Sequence, residues 1–337
     1  MGIRKLLFPF SILYGGLMSI RNMLYEKNVL KSAFFDIPLI CVGNLSMGGT
    51  GKTPMVEFLI SLLKENYKIA TLSRGYKRST SGFQLVSGAE TAAEVGDEPL
   101  QFKTKFPKII VAVDEKRQNG IKKLLQLPEK PEVILLDDAF QHRKVAAGMN
   151  ILLTSYDNLY SEDLVLPAGN LREPVSGAKR AQIIVVTKCP IDLEEKEKNK
   201  IALKLSLLDR QRLFFSGITY ATEIYNFGNS LELQYLKRVK FSLVTGIANP
   251  QPLVDFLHGE GFQFEHIFFP DHHNFSDSEL QNLKEKEFIL TTEKDYMRLK
   301  NDIPEEKLFF LPIKTEFIGE GEQAGFEGII QKYIMKK

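Results

Sequence analysis

The sequence is short of cysteine and of net charge, and each shortage narrows what the chain can be. Cys41 and Cys189 are its 2 cysteines in 337 residues, too few for a disulfide framework or a cysteine-based metal cluster. One lies inside an apolar run and the other just after one, the setting of buried, reduced thiols. That usage fits a reducing cytoplasm. A formal net charge of +2 offers no general attraction to nucleic acid, so any basic chemistry must be local. With 44% apolar and 26% charged residues, the composition is that of a soluble globular protein. The length suits one large or two medium domains.

The N-terminus departs from this average. Residues 6–20 (LLFPFSILYGGLMSI) carry no charge and are flanked by Arg4, Lys5 and Arg21. As a helix they reach only about 22 Å at about 1.5 Å per residue, against about 30 Å for a bilayer core. The expectation over 1–30 is therefore a helix lying in or shallowly inserted into a membrane surface. Pro9 stands early, where a helix tolerates it, and Gly15 and Gly16 weaken the middle. A helix packed on its own domain is the competing reading. A secretory signal is not supported: no convincing small-x-small cleavage site follows the apolar stretch, and a nucleotide-binding motif does.

From Pro38 onward the pattern is strand, glycine-rich loop, helix, with Met55, Phe58, Leu59, Leu62 and Leu63 on one helical face. Apolar runs recur at 68–72, 109–113, 133–136, 151–153 and 183–186 with helical segments or loops between them. Such alternation predicts an α/β fold, a mostly parallel sheet with helices on both faces, of the P-loop NTPase kind. A charged helix over 193–208 closes the series. Residues 212–220 and 230–237 read as two strands around Asn226 and Gly228. A second, smaller αβ series starts at Lys240. The expected organisation is an N-terminal membrane-associated helix (1–30), a P-loop kinase domain (31–210), a β-hairpin linker (211–239) and a smaller α/β domain (240–337).

The strongest chemical signal is 46–53, SMGGTGKT, set between a strand and a helix. Gly48, Gly49 and Gly51 let the amides of Ser46, Met47, Thr50 and their neighbours turn inward around phosphate oxygens. The helix that follows presents its positive end to the same anion. Lys52 supplies a cation for the β- and γ-phosphates of ATP, and Thr53 a hydroxyl for Mg²⁺. Ser46 replaces the first glycine of the usual pattern. The apolar strand at 133–136 runs into Asp137 and Asp138, oxygen ligands of the kind a hard cation takes. Which of the two binds the metal directly is left open.

Other groups could act on an acceptor. Arg74 and Tyr76, with Lys77 and Arg78, form a basic loop after a strand, suited to holding a substrate phosphate. A solvated charge cluster is the alternative. Asp97 and Glu98 sit in a turn before a helix, where a carboxylate could take a hydroxyl proton or merely cap the helix. Gln141 and His142 continue from the acidic pair, and Arg172 and Glu173 lie on another loop able to reach the same crevice. In 270–275 (PDHHNF) a histidine paired with a carboxylate is favoured over a zinc site. The segment TTEKD (291–295) reads as helix capping.

Taken in order, VGNLSMGGTGKTP, LSRGYKR, VGDEP, LLDDAFQHR, LPAGNLREP, VVTKCP, FPDHHNF and TTEKD resemble the tetraacyldisaccharide 4'-kinase family over nearly the whole chain. The pattern departs at Lys77 and Ala139, where glycine is usual, and at Asn170, where proline is common. The resemblance implies transfer of the ATP γ-phosphate to the 4'-hydroxyl of an acylated disaccharide 1-phosphate lipid at the cytoplasmic face of the inner membrane. It implies Asp97 as base assisted by His272, Asp137 and Asp138 as the Mg²⁺ pair, and Glu98, Gln141, His142 and Glu173 around ATP. No nucleic acid and no obligate protein partner are implied. A P-loop kinase for a soluble metabolite and a nucleotide-dependent switch ATPase are the rivals. Neither accounts for the uncharged N-terminal segment.

Overall fold

The computed structural model describes Arg4 and residues 6–226, 228–271 and 273–336. In chain order the helices are α1 (Phe8–Glu26), α2 (Lys52–Leu63), α3 (Ala92–Val95), α4 (Asp97–Lys105), α5 (Arg117–Leu124), α6 (Glu195–Leu205), α7 (Gln251–Gly259), α8 (Asp277–Lys284), α9 (Glu293–Leu299) and α10 (Glu322–Met335). The strands that frame the site are β1 (Leu39–Asn44), β2 (Ile69–Ser73), β3 (Gln84–Leu85), β4 (Ile110–Val113), β5 (Val133–Asp137), β6 (Met149–Ser155), β7 (Ile183–Thr187) and β8 (Arg212–Tyr220). After them come β9 (Glu223–Tyr225), β10 (Ser230–Glu232), β11 (Ser242–Thr245), β12 (Glu265–Phe268), β13 (Ile289–Thr291), β14 (Leu308–Phe310) and β15 (Ile313–Phe317).

Among the described residues the strands form two sheets. The larger has the order β15-β8-β7-β6-β1-β5-β2-β4-β3. It is parallel from β8 to β4, with β3 and β15 antiparallel at its edges. β1, β5 and β6 are buried almost throughout, as strands covered on both faces must be. β1 lies between β5 and β6, so the strand order reverses at its carboxyl end. Crevices for ligands open at such points. The smaller sheet has the order β10-β9-β14-β13-β11-β12, parallel from β12 to β14.

Two boundaries expected from the sequence do not follow the sheets. The strand pair expected at 211–239 is divided: β8 belongs to the large sheet, while β9 and β10 form a hairpin in the small one. The range 240–337 is divided too, because β15 pairs with β8 and α10 packs on the large sheet. Aromatic packing explains this return. Phe58 of α2, Phe214 of β8, Phe317 of β15 and Phe326 of α10 meet with ring centroids 4.7–6.0 Å apart. Tyr333 closes the end of α10 by bonding both the amide and the carbonyl of Leu39 at the start of β1.

α2 buries Met55, Val56, Leu59, Ile60 and Leu63 against the sheet. At roughly 1.5–3 kcal/mol for each large apolar side chain removed from water, this face anchors the loop that precedes the helix.

Candidate active site

The loop at 46–53 leaves β1 and enters α2 at Gly51, whose φ of +76° is a left-handed conformation suited to glycine. Asn44 donates to Thr50 Oγ1 at 2.8 Å, and Thr187 Oγ1 donates to the Thr50 carbonyl at 3.0 Å. The Met47 amide bonds the Asn170 carbonyl at 2.7 Å and the Thr50 amide bonds the Gly48 carbonyl at 3.1 Å, so two of the amides expected to face phosphate are committed to backbone instead, and Ser46 bridges to Leu171. Gly48 also has positive φ. Lys52 and Thr53 occupy the first turn of α2, half-buried. Lys188, in left-handed backbone, carries its Nζ to 3.8 Å from where a Cβ on Gly49 would sit. That second cation beside the loop was not foreseen from the sequence.

β5 delivers the acid pair beside this loop, with Val42 in register with Asp137. The backbone turns sharply there, and Asp138 has φ +47°. The two carboxylates differ in kind. Asp138 receives Arg172 Nη1 at 3.1 Å on each oxygen and faces Lys52 Nζ at 3.7 Å. Burial works against its charge, but the Lys52 and Arg172 cations hold its pKa below the usual value. Asp137 is buried, and its Oδ1 has no hydrogen-bond partner. Burial, reinforced by the charges of Asp138 and Glu98, pushes it up to about 7. Arg117, a residue the sequence did not single out, donates from Nη2 to the Asp137 carbonyl at 3.0 Å.

Gln141 and Glu173 sit beneath the pair. Gln141 donates to the Asn44 carbonyl at 2.7 Å and to Glu173 Oε1 at 3.1 Å. Glu173 is fully buried and is held by Arg180 in a forked pair and by Asn22 at 2.8 Å. His142 is pushed down to about 4 by burial and by the neighbouring Arg117 and Arg74 charges, so it is neutral near pH 7. Arg74 and Tyr76 are exposed in the loop after β2. The next residue, Lys77, has φ +58°, the conformation that makes glycine usual there. Asn170 has its own use: its amide reaches both Asp163 oxygens at 3.2 Å, a bond proline could not make.

Asp97 is the first residue of α4, and Gly96 rather than Asp97 takes the cap position. Its carboxylate engages Arg298 of α9, with Nε on Oδ1 at 3.1 Å and Nη2 on Oδ2. Glu98 lies 4.0 Å from Lys294 Nζ. His272 lies outside the described residues. His273 bonds Glu279 Oε2 at 3.0 Å and stacks on Phe269. Thr292 caps α9 as expected, accepting from the Asp295 amide.

The N-terminal helix closes the other side. Tyr14 donates to the Arg172 carbonyl, Arg21 to the Gln141 carbonyl, and Arg143 returns a bond to the Asn22 carbonyl. Its buried side chains are Ser11, Asn22 and Tyr25. Phe10, Ile12, Leu13, Leu17 and Ile20 face outward, each more than half exposed. No helix among the described residues is long and apolar enough to cross a membrane.

A glycine-rich loop entering a helix, a lysine and two aspartates at a strand-order reversal can bind and polarise a nucleoside triphosphate. Known proteins agree. The family described as Tetraacyldisaccharide-1-P 4'-kinase matches residues 3–334. The tetraacyldisaccharide 4'-kinase of Flavobacterium johnsoniae is 52% identical over 98% of this chain and 97% of its own. That of Bacteroides thetaiotaomicron is 44% identical over 98% and 93%. A crystal structure of LpxK from Aquifex aeolicus in complex with ATP superposes with TM-score 0.83 at 32% identity, covering 98% of this chain and 99% of that one. The chain belongs to the tetraacyldisaccharide-1-P 4'-kinase family.

Proposed function

We propose that this chain transfers the γ-phosphate of ATP to the 4'-hydroxyl of a tetraacyldisaccharide 1-phosphate, with Mg²⁺ at the acid pair and the acceptor presented at the cytoplasmic face of the inner membrane. The observation that carries this reading is that the 46–53 loop, Lys52 and the Asp137–Asp138 pair come together at the carboxyl ends of β1 and β5. The donors suit Mg²⁺. Two carboxylates and the Thr53 hydroxyl fall short of an all-protein cage, and this ion fills the remainder with phosphate oxygens and water. The unpartnered Oδ1 of Asp137 leaves an oxygen for it. When bound, Mg²⁺ neutralises charge on the phosphate oxygens.

The protein's own groups do the rest. The loop amides other than those of Met47 and Thr50, together with Lys52, hold the triphosphate, and Lys52 and Arg172 keep Asp138 ionised. Asp97, with His272, accepts the proton of the sugar hydroxyl as it attacks in line. Glu98, Gln141, His142 and Glu173 support the nucleotide end. Arg74 and Tyr76, exposed at the mouth, are assigned to the acceptor. The outward apolar face of α1 supports a membrane-surface site: its inward side is polar and bonded, which leaves its apolar side for lipid.

An assay with labelled ATP and a detergent-dispersed acylated disaccharide 1-phosphate tests this. Lys52→Ala is expected to damage nucleotide use as a whole. Asp97→Ala is expected to lower kcat by roughly 10²–10⁴ with ATP affinity nearly intact. Unchanged kcat in Asp97→Ala removes Asp97 from its role, and no phosphorylated lipid from the wild-type chain rejects the proposal.

A further inference from the structure

Asp97 does not stand alone at the head of α4. A partner that grips it comes from α9, the helix that follows β13 of the smaller sheet, and is itself held rigidly. Arg298 sends Nε and Nη2 to the two oxygens of Asp97. Its remaining nitrogen, Nη1, reaches Asp295 Oδ1 at 3.3 Å and the Gly246 carbonyl at 3.4 Å. Asp295 is fully buried and has its other oxygen fixed by the Gly246 amide and the Thr292 hydroxyl, each at 2.8 Å. Gly246 is needed for this approach, since a Cβ there would lie 3.0 Å from Asp295 Oδ1. The guanidinium therefore has one orientation, set by β11 and α9, and it imposes that orientation on a carboxylate belonging to α4.

We propose that Arg298 is the positioning residue for the acceptor-side base, holding the plane of the Asp97 carboxylate and keeping it ionised. This deepens the assignment of Asp97 made above and rests on it. A carboxylate offers about four lone-pair sites and a forked arginine occupies two. All four lie in one plane, so fixing that plane fixes the directions from which any further donor can approach. Lysine at 298 would preserve the charge without the planar fork.

The charges around Asp97 come from several elements. α9 contributes Arg298, Asp295 and Lys294, and the turn after β12 contributes Asp271, paired with Lys294 at 3.2 Å. Glu98 follows Asp97 on α4. Arg74 precedes Gly75, whose backbone packs on Gly96. Arg298 is a cation in direct contact, and an adjacent opposite charge lowers a carboxylate's pKa by roughly 1–3 units. Burial alone would weaken the arginine's charge, but the bond to Asp97 and the charges of Asp97, Asp295 and Asp271 raise its pKa above the usual value.

The test compares full-length Arg298→Met, Arg298→Lys and Asp97→Ala with the wild type, following kcat/KM for the lipid acceptor against pH. In Arg298→Met the acid limb should move up by about 1 pH unit or more. Its kcat should fall at least about tenfold, while KM for ATP stays within about twofold of the wild type. Arg298→Lys should return the limb to its wild-type position while kcat stays below wild type. The limb's position does not depend on how much enzyme is folded, so lost stability alone cannot mimic the shift. An unmoved limb in Arg298→Met, or an equal shift in Arg298→Lys, overturns the proposal. If Asp97→Ala retains kcat, the assignment of Asp97 fails. If it loses kcat while Arg298→Met does not, only the role of Arg298 fails.

Discussion

Helices α1 and α2 are both rich in apolar residues and turn them in opposite directions. α2 buries Met55, Val56, Leu59, Ile60 and Leu63 under the large sheet. α1 buries Ser11, Asn22 and Tyr25, and leaves Leu13 and Leu17 at 65% and 60% exposure. Apolar content therefore does not decide which way a helix faces; what the protein offers to its other side does. For α2 that is the apolar face of the large sheet. For α1 it is loop backbone and ionic side chains: Ser11 accepts from the Ala168 amide, Asn22 donates to Glu173, and Tyr14 donates to Arg172. Bonding that side commits the apolar side to whatever lies outside.

The largest test of the contrast is a leucine truncation in each helix. Leu59→Ala removes a side chain with no exposure and should cost roughly 2–5 kcal/mol. Leu13→Ala should change stability by less than about 0.5 kcal/mol. Chemical denaturation of both variants measures the difference. Equal losses would mean that α1 is an ordinary core helix.

The next test concerns what the outward face of α1 meets. Leu13→Ser with Leu17→Ser should leave folding nearly unchanged and reduce cosedimentation with anionic lipid vesicles by about tenfold or more, because burying each leucine is worth roughly 1.5–3 kcal/mol. Turnover of vesicle-borne acceptor should fall with binding, and turnover in detergent should not. Binding that survives both substitutions would assign this face to something other than lipid. Removing residues 1–20 is a poorer experiment, since it also removes the Tyr14 bond to Arg172.

How far the sequence foretells this molecule follows the same contrast. The glycine-rich loop, the acid pair and the individual strands are local: a strand, a turn and a helix within a few residues specify them, and they appear where the apolar periodicity puts them. The uncharged segment is equally legible as a helix. What is not legible depends on contacts far apart in the chain. Asn22 meeting Glu173, Arg298 meeting Asp97 and Lys105 meeting Glu293 join positions 151, 201 and 188 residues apart. The return of β15 and α10 to the large sheet is of this kind, resting on aromatic packing that no periodicity encodes. Lys77 is the intermediate case. Its departure from glycine is visible in the sequence, but only the backbone shows that the left-handed turn persists.

The smallest expected effect comes from the exception within α2, a carboxylate buried among its leucines. Glu57 is 5% exposed and bonds Gln101 at 2.8 Å and Lys105 at 2.7 Å, while Lys105 also reaches Glu293 at 2.6 Å. One cation thus serves two acids where the sheets meet. Burial, and next the Glu293 charge, push Glu57 up to about 7 despite Lys105. The sign follows from linkage. The folded state prefers the protonated acid, so its contribution is fully present below the unfolded value of 4.5 and is lost as pH rises through about 7. Glu57→Gln keeps a neutral amide at every pH. It should flatten the fall in stability between about pH 5 and 7, by an amount on the order of a kcal/mol. Denaturation midpoints across that window measure it. If the two proteins show the same slope, Glu57 is ionised in the folded state throughout, and α2 tolerates a buried charge because Lys105 compensates it fully.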